Sequence, residues 1–240
     1  MKYLIDTHTH TIASGHAYNT IDEMTKYAAG IGAEALCITE HAPEMPGSCG
    51  LFYFGNLNIV PKEKYGVKRF MGCEANIMDY SGKIDLPVYG LKPCDIVIAS
   101  LHIPCIKPGT MEENTKALIG AMDNEYVDII GHPDDSRYPV DYELLVKAAK
   151  EKHKLLELNN TSLKPTGPRQ GAHENDVRML KLCKEMDVCI SLGSDAHIEE
   201  SICDFTEAVK VIEETDFPDR LIVNTDIDLL KSYLHKFRNA

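Results

Sequence analysis

The sequence predicts an α/β fold, a parallel barrel of seven strands that is distorted or incomplete relative to an eight-stranded one. Three observations predict it. Short apolar runs alternate with stretches of helical periodicity, which implies strands joined by helices and hence a parallel sheet. The chain has 240 residues, enough to bury a sizeable core and a common size for an α/β barrel of one domain. Nearly every apolar run ends on a histidine or a carboxylate, and in a parallel barrel the carboxyl ends of all strands meet at one mouth. No domain boundary, low-complexity segment or repeat beyond the strand–helix alternation is visible, so residues 1–240 read as a single domain.

Tyr3–Ile5 is a short apolar strand running into His8 and His10. Strand side chains alternate faces, so the two imidazoles point the same way and can share one metal ion. His16 follows in a polar loop. Thr20-x-x-Glu23 is a capping box that starts a helix near Ile21, with Gly30 or Gly32 as its stop. Glu34–Thr39 is the second strand and leads into Glu40 and His41. Residues 42–61 are rich in proline and glycine and read as a long irregular loop, with Phe52, Tyr53 and Phe54 either covering a site or, the favoured reading, packing the loop onto the barrel. Val67–Cys73 is the third strand and ends at Glu74; Ala75–Leu86 is a hairpin excursion about Ser81 and Gly82.

Asp95–Leu101 is a buried strand ending at His102, and Met111–Met122 is a helix. Val127–Gly131 is a strand ending at His132. Tyr142–Lys152 is a helix with Leu144, Leu145 and Ala148 at helical spacing. Leu155–Leu158 is a strand followed by Asn159 and Asn160, which orient ligands or form the turn. A Pro- and Gly-rich loop over residues 161–172 precedes a helix at Glu174–Met186. Val188–Leu192 is the last strand and leads into Gly193-Ser194-Asp195-Ala196-His197. Asp204–Glu214 and Asp226–His235 are helices, with Arg220–Asn224 a short strand or extended connector between them. His153 and His235 fall on helices as surface residues.

With 44% apolar and 26% charged residues the composition is that of an ordinary globular enzyme. No apolar run of about 18 residues is present, so no membrane span is expected, and the N-terminus does not read as a signal peptide. The net charge of −12 disfavours broad nucleic-acid binding, which needs a basic face, and an anionic membrane surface. It leaves room for a small anionic substrate if metal ions bring the positive charge. Eight cysteines without a C-x-x-C pair, mostly inside apolar runs, read as buried thiols in a reducing, cytoplasmic compartment.

Six of the seven strand ends carry a histidine or carboxylate, although histidine fills only about 4% of positions. His8, His10, His41, Glu74, His102, His132, Asp195 and His197 therefore converge on one bowl as candidate metal ligands. The motifs DTHTH (Asp6–His10), His16, TEH (Thr39–His41), GCEAN (Gly72–Asn76), ASLH (Ala99–His102), GHPD (Gly131–Asp134) and GSDAH (Gly193–His197) resemble, in order and over most of the chain, the PHP (polymerase and histidinol phosphatase) superfamily. The similarity is greatest to its stand-alone YcdX-like phosphatases. That resemblance implies a distorted (β/α)7 TIM-like barrel with three divalent ions at the mouth, zinc foremost, manganese or iron as alternatives. It implies one ion on His8, His10, Glu74 and Asp195, a second on the bridging Glu74 with His102 and His132, and a third on His16, His41 and His197.

The reaction implied is hydrolysis of a small phosphate monoester, with a water shared by two ions attacking phosphorus in line. Glu74 and Asp195 serve as catalytic anions. Arg169 and His173, in the loop after the sixth strand, are candidates to meet the phosphate or the leaving group. Asp134, Arg137, Lys164 and Lys107 are lesser candidates of the same kind. Alternatives are a phosphodiesterase or exonuclease of the same fold, a histidinol-phosphate phosphatase, and an amidohydrolase cleaving C–N bonds. The last usually needs a lysine-derived bridging carbamate, and no lysine ends strand four or five. A non-catalytic PHP module like those attached to DNA polymerases is the alternative outside enzymes. Oligomeric state is open.

Overall fold

The computed structural model describes residues 3–238. Its strands are β1 (Ile5–Thr9), β2 (Ala35–His41), β3 (Glu63–Lys64), β4 (Val67–Asn76), β5 (Ile96–Ser100), β6 (Ile129–Ile130), β7 (Leu155–Asn159) and β8 (Ile190–Gly193). Seven of them are parallel neighbours in the order β1-β2-β4-β5-β6-β7-β8, and β3 adds a two-residue antiparallel edge to β4. The helices are α1 (Ile21–Gly30), α2 (Leu51–Gly55), α3 (Val88–Leu91), α4 (Met111–Met122), α5 (Tyr142–Lys152), α6 (Asn160–Leu163), α7 (Ala172–Met186), α8 (Thr206–Glu214) and α9 (Ile227–Tyr233). This is the α/β, seven-stranded TIM-like barrel that the strand–helix alternation predicts.

The barrel closes between β8 and β1 without an ordinary ladder. At the mouth, Asp195 N donates to His8 O and His10 N to Ala196 O, both at 2.9 Å. Further down, the Asn224 side chain fills the seam. It accepts from Leu192 N at 2.7 Å and donates to Ile5 O and Leu192 O at 2.8 Å. Thr7 Oγ1 adds a bond to Leu192 O at 2.8 Å. Residues 220–224, expected as a strand or connector, lie in two 3-10 turns whose backbone pairs with β8 at one parallel bridge, Ile190 with Ile222.

Local signals set the helix starts. Thr20 accepts from Glu23 N while Glu23 Oε2 accepts from Thr20 N at 2.7 Å, closing the predicted capping box of α1. The same reciprocal pair, Thr110 and Glu113, starts α4. The strands run further toward the mouth than their apolar runs suggest. β1 continues to Thr9, so His8 lies within it, and β4 continues to Asn76, so Glu74 and Asn76 lie on one face of a strand rather than beyond it. The reason is that β4 is paired on both sides, with β2 up to Glu74 and with β5 up to Asn76, which satisfies its backbone inside the buried mouth.

The long loop after β2 holds α2 and a 3-10 turn. Phe54 is fully buried and Tyr53 partly so, whereas Phe52 is 79% exposed and does not pack the loop down. His235 is not a surface residue. Its Nδ1 lies 2.9 Å from the buried Asp128 carboxylate at the amino end of β6. His153 caps α5 with φ 52° and stacks on Tyr233. The eight cysteines are free thiols, and among the described residues no helix is long and apolar enough to cross a membrane.

Candidate metal centre

β1 presents His8 and, just past its end, His10; β2 presents His41, β4 presents Glu74, and the turns after β5, β6 and β8 present His102, His132 and Asp195. All seven are buried. Glu74 is the hub. Its Oε1 lies 2.8 Å from His132 Nε2 and 3.1 Å from His102 Nε2; its Oε2 lies 2.7 Å from His41 Nδ1, 3.4 Å from His8 Nε2 and 3.6 Å from His10 Nε2. Asp195 Oδ1 is 3.4 Å from His10 Nε2 and 3.8 Å from His8 Nε2. His197 stacks at the edge, 4.5 Å from the His10 ring, and the exposed His16 stacks on His41 and His197 at 4.9 and 4.7 Å between ring centres.

Two of these candidate ligand positions hold unusual backbone. His132 has φ 29° and Asp195 φ 55°, conformations that cost energy for a residue with a side chain and that persist only where the surroundings hold them. Both follow closely on a glycine, Gly131 and Gly193.

The chemistry of the donor set suits cations. His8 Nε2 and His10 Nε2 face each other at 3.0 Å, an arrangement in which two lone pairs repel unless a proton or metal lies between them. His41 Nδ1 and Glu74 Oε2 are close, yet neither makes a well-formed hydrogen bond. Three tight donor groups emerge: His8, His10 and Glu74; His10, His41 and His197; and His41, Glu74 and His102. Imidazole with carboxylate is the donor mix of zinc and its first-row neighbours.

Electrostatics agree. Burial pulls His10 well below the ordinary imidazole value, with the charges of His41 and His197 adding to it, and holds His102 at about 4 against the pull of Glu74. Both rings therefore keep a free lone pair at neutral pH. Burial lowers His8 too, but Glu157, Glu74 and Asp195 outweigh it and raise the ring well above its usual value. Burial alone would raise Glu74 and Asp195. His102, His8 and His41 hold Glu74 far down, and His8, His10 and Arg169 do the same for Asp195. The bowl demands positive charge, which a divalent ion supplies without a proton.

Around the donors runs a set of polar partners, of which Glu157 and Ser14 lie outside the motifs while Asn76 belongs to GCEAN and Glu40 to TEH. His8 Nδ1 meets Glu157 Oε1 at 2.7 Å, His102 Nδ1 meets Asn76 Oδ1 at 2.7 Å, and His10 Nδ1 meets Ser14 Oγ at 3.0 Å. Ser14 in turn donates to the buried Glu40 at 2.5 Å. Each contact leaves Nε2 free to face the bowl. Asn159 donates to Asp195 Oδ2 at 3.3 Å, the ligand-orienting option named for it, whereas Asn160 accepts from Glu207 N and Ala208 N on α8.

The loop candidates separate. Arg169 is largely buried and donates to Asp195 Oδ2 at 3.3 Å, Ser162 Oγ at 2.9 Å and Asn159 Oδ1 at 3.3 Å. His173 is not brought to the bowl: it is half exposed on α7, with Nε2 2.8 Å from Glu214 Oε2 on α8. Asp134 is fully buried behind Arg169, Arg137 clasps Asp135, and Lys164 pairs with Asp204 at 3.0 Å.

Residues 6–216 match the PHP domain family. The chain belongs to that family. As a PHP chain it has many full-length relatives. It is 50% identical over 234 residues to a probable phosphatase of Clostridium novyi (strain NT), covering 98% of this chain and 95% of the relative. It is 48% identical over 235 residues to a probable phosphatase of Thermoanaerobacter sp. (strain X514), with the same coverage. Its fold is similar to that of histidinol phosphate phosphatase from Lactococcus lactis subsp. lactis, solved with zinc, L-histidinol and phosphate. The TM-score is 0.64 at 22% identity, over 90% of this chain and 95% of that one.

Proposed function

We propose that this PHP chain is a metal-dependent phosphatase acting on a small phosphate monoester, with three divalent ions in the bowl. The observation that carries the reading is the convergence of buried imidazoles on the single carboxylate Glu74. His8, His10, Glu74 and Asp195 hold one ion, Glu74 with His102 and His132 a second, and His41, His197 and His16 a third. The relatives named probable phosphatases support the reaction class. Bound divalent ions supply a Lewis acid for phosphoryl oxygens and a nucleophilic water at neutral pH.

The protein's own groups do the rest. Neutral His10 and His102 keep lone pairs for the ions. Glu74 and Asp195, both held ionised, fix the charge that binds them. Arg169 anchors Asp195 through Oδ2 and is the guanidinium nearest the bowl, so it also faces the anion that enters. His173 takes no part in this reading, because its partner is Glu214 on the outer helices.

The reading is tested on p-nitrophenyl phosphate, its bis ester and single-stranded DNA. Monoester turnover is expected to dominate, to vanish on chelation and to return with zinc or manganese. His8→Ala is expected to lower metal content and to abolish turnover. Full activity of that variant with normal metal, or indifference to chelation, contradicts the reading; dominant turnover of the bis ester or of DNA makes the chain a phosphodiesterase.

A further inference from the structure

Glu157 carries no motif, yet the centre is built around it. β7 is an apolar strand in which Leu156 and Leu158 face one way and Glu157, with Asn159, faces the other. A carboxylate at the middle of a buried strand is costly unless it is fully partnered. Glu157 is: Oε1 takes His8 Nδ1 at 2.7 Å, and Oε2 takes His132 N at 2.8 Å and Asn159 Nδ2 at 3.3 Å. One carboxylate thus grips two candidate ligand residues from different elements, β1 and the turn after β6. It orients the ring of His8 and secures the left-handed backbone of His132 (φ 29°).

The neighbouring strand is shaped to admit it. A Cβ on Gly193 would collide with Glu157 Oε1 and would lie 2.8 Å from His8 Cβ. The glycine of the GSDAH motif is thus a vacancy that the Glu157 carboxylate fills.

From this geometry we infer that Glu157 is a positioning residue that sets the tautomer of His8, holding the proton on Nδ1 so that Nε2 faces the bowl as a ligand atom. The inference rests on the reading that these residues hold metal ions. His132 N is an N–H donor at 2.8 Å, and an ionised carboxylate only accepts, so His8 Nδ1 at 2.7 Å must present its proton to the other oxygen. A glutamine has one oxygen and one NH2. If the oxygen serves His132 N–H, the NH2 faces His8 Nδ1 and drives its proton to Nε2, where it blocks metal binding.

Glu157→Gln is nearly isosteric, so it separates positioning from packing. Zinc affinity of the full chain, read by competition with a chromophoric chelator, is expected to fall about 10–100-fold, the usual cost of losing such a partner, with the circular dichroism unchanged. Wild-type affinity and stoichiometry in a folded variant overturn the inference, as does loss of stability with zinc affinity intact. A second measurement does not depend on the variant folding. In the zinc-loaded wild-type chain, long-range 1H–15N correlation of labelled histidines is expected to show His8 protonated at Nδ1; protonation at Nε2 overturns the inference. If the wild-type chain binds zinc but cleaves no p-nitrophenyl phosphate, the phosphatase reading fails and the Glu157 inference still stands or falls on zinc affinity.

Discussion

At the scale of single residues the chain spends its buried polar groups at both ends of the barrel. At the mouth Glu157, Asn76, Ser14 and Asn159 touch candidate metal ligands. At the opposite end Lys154, just before β7, has a buried side chain whose Nζ donates to the carbonyls of Val127 and Asn124. Burial, with Arg238 nearby, pushes this amine down to about 8 from an ordinary 10.5. In the unfolded chain it returns to its ordinary value and binds more protons than in the fold between those two pH values. The protonated form is penalised in the fold, so the penalty is fully present below pH 8 and fades as pH rises toward 10.5. Lys154→Met removes it. The stability of wild type relative to Lys154→Met should therefore rise across pH 8 to 10.5, read as the difference in urea midpoints. A difference that is flat with pH contradicts the assignment. Other groups titrate in that window, which is why the difference and not the wild-type curve is the measure.

At the scale of elements, what could be read from the sequence follows from how each strand ends. An apolar run that stops at a histidine marks itself, and so His8, His41, His102 and His132 were legible, as was His197 from its motif. Strand length was not, because β4 gains pairing on both sides and continues three residues past its apolar run. Glu157 was hidden for the opposite reason. It lies inside a strand rather than at its end, and its only signal was a charge among leucines. Glu40 stood in plain view within the TEH motif, but its link to His10 passes through Ser14, and a relay across 26 positions leaves no periodicity to find. The loop carrying His16 shows how an element without a strand is placed. Tyr18 N donates to His197 O at 3.0 Å, Ile12 N to Asn19 O at 2.9 Å, and Asn19 Oδ1 accepts from Glu199 N at 3.0 Å. Asn19 thus fastens the His16 loop to the His197 segment. If the proposed three-ion division holds, Asn19→Ala is expected to weaken the ion assigned to His16, His41 and His197 by about tenfold, within the range for groups that support a ligand. Stepwise zinc titration should show a single weakened site. Uniform weakening of all sites, or none, counts against this division of ligands.

At the scale of the whole molecule the centre depends on a seam. The end of β1 brings His8 and His10, the turn after β8 brings Asp195, and the first and last strands of the sheet must meet for these candidate ligands of the proposed first ion to assemble. Backbone bonds join them at the mouth only. Below it a single amide side chain, Asn224, supplies three hydrogen bonds where a ladder is missing. Leucine has nearly the same size and none of the polarity. Asn224→Leu leaves Leu192 N–H without its partner and Ile5 O short of one, all in a fully buried setting. Each stranded group costs roughly 1–3 kcal/mol, so a loss of about 2–5 kcal/mol is expected in urea denaturation at fixed zinc. Zinc affinity should fall with it, because a loosened seam lets Asp195 part from His8 and His10. Thr7→Val, which removes one bond to Leu192 O, should cost less and leave zinc affinity near wild type. An Asn224→Leu chain with an unchanged midpoint would mean that the mouth alone closes the barrel, and that the metal centre draws the two strands together rather than the reverse.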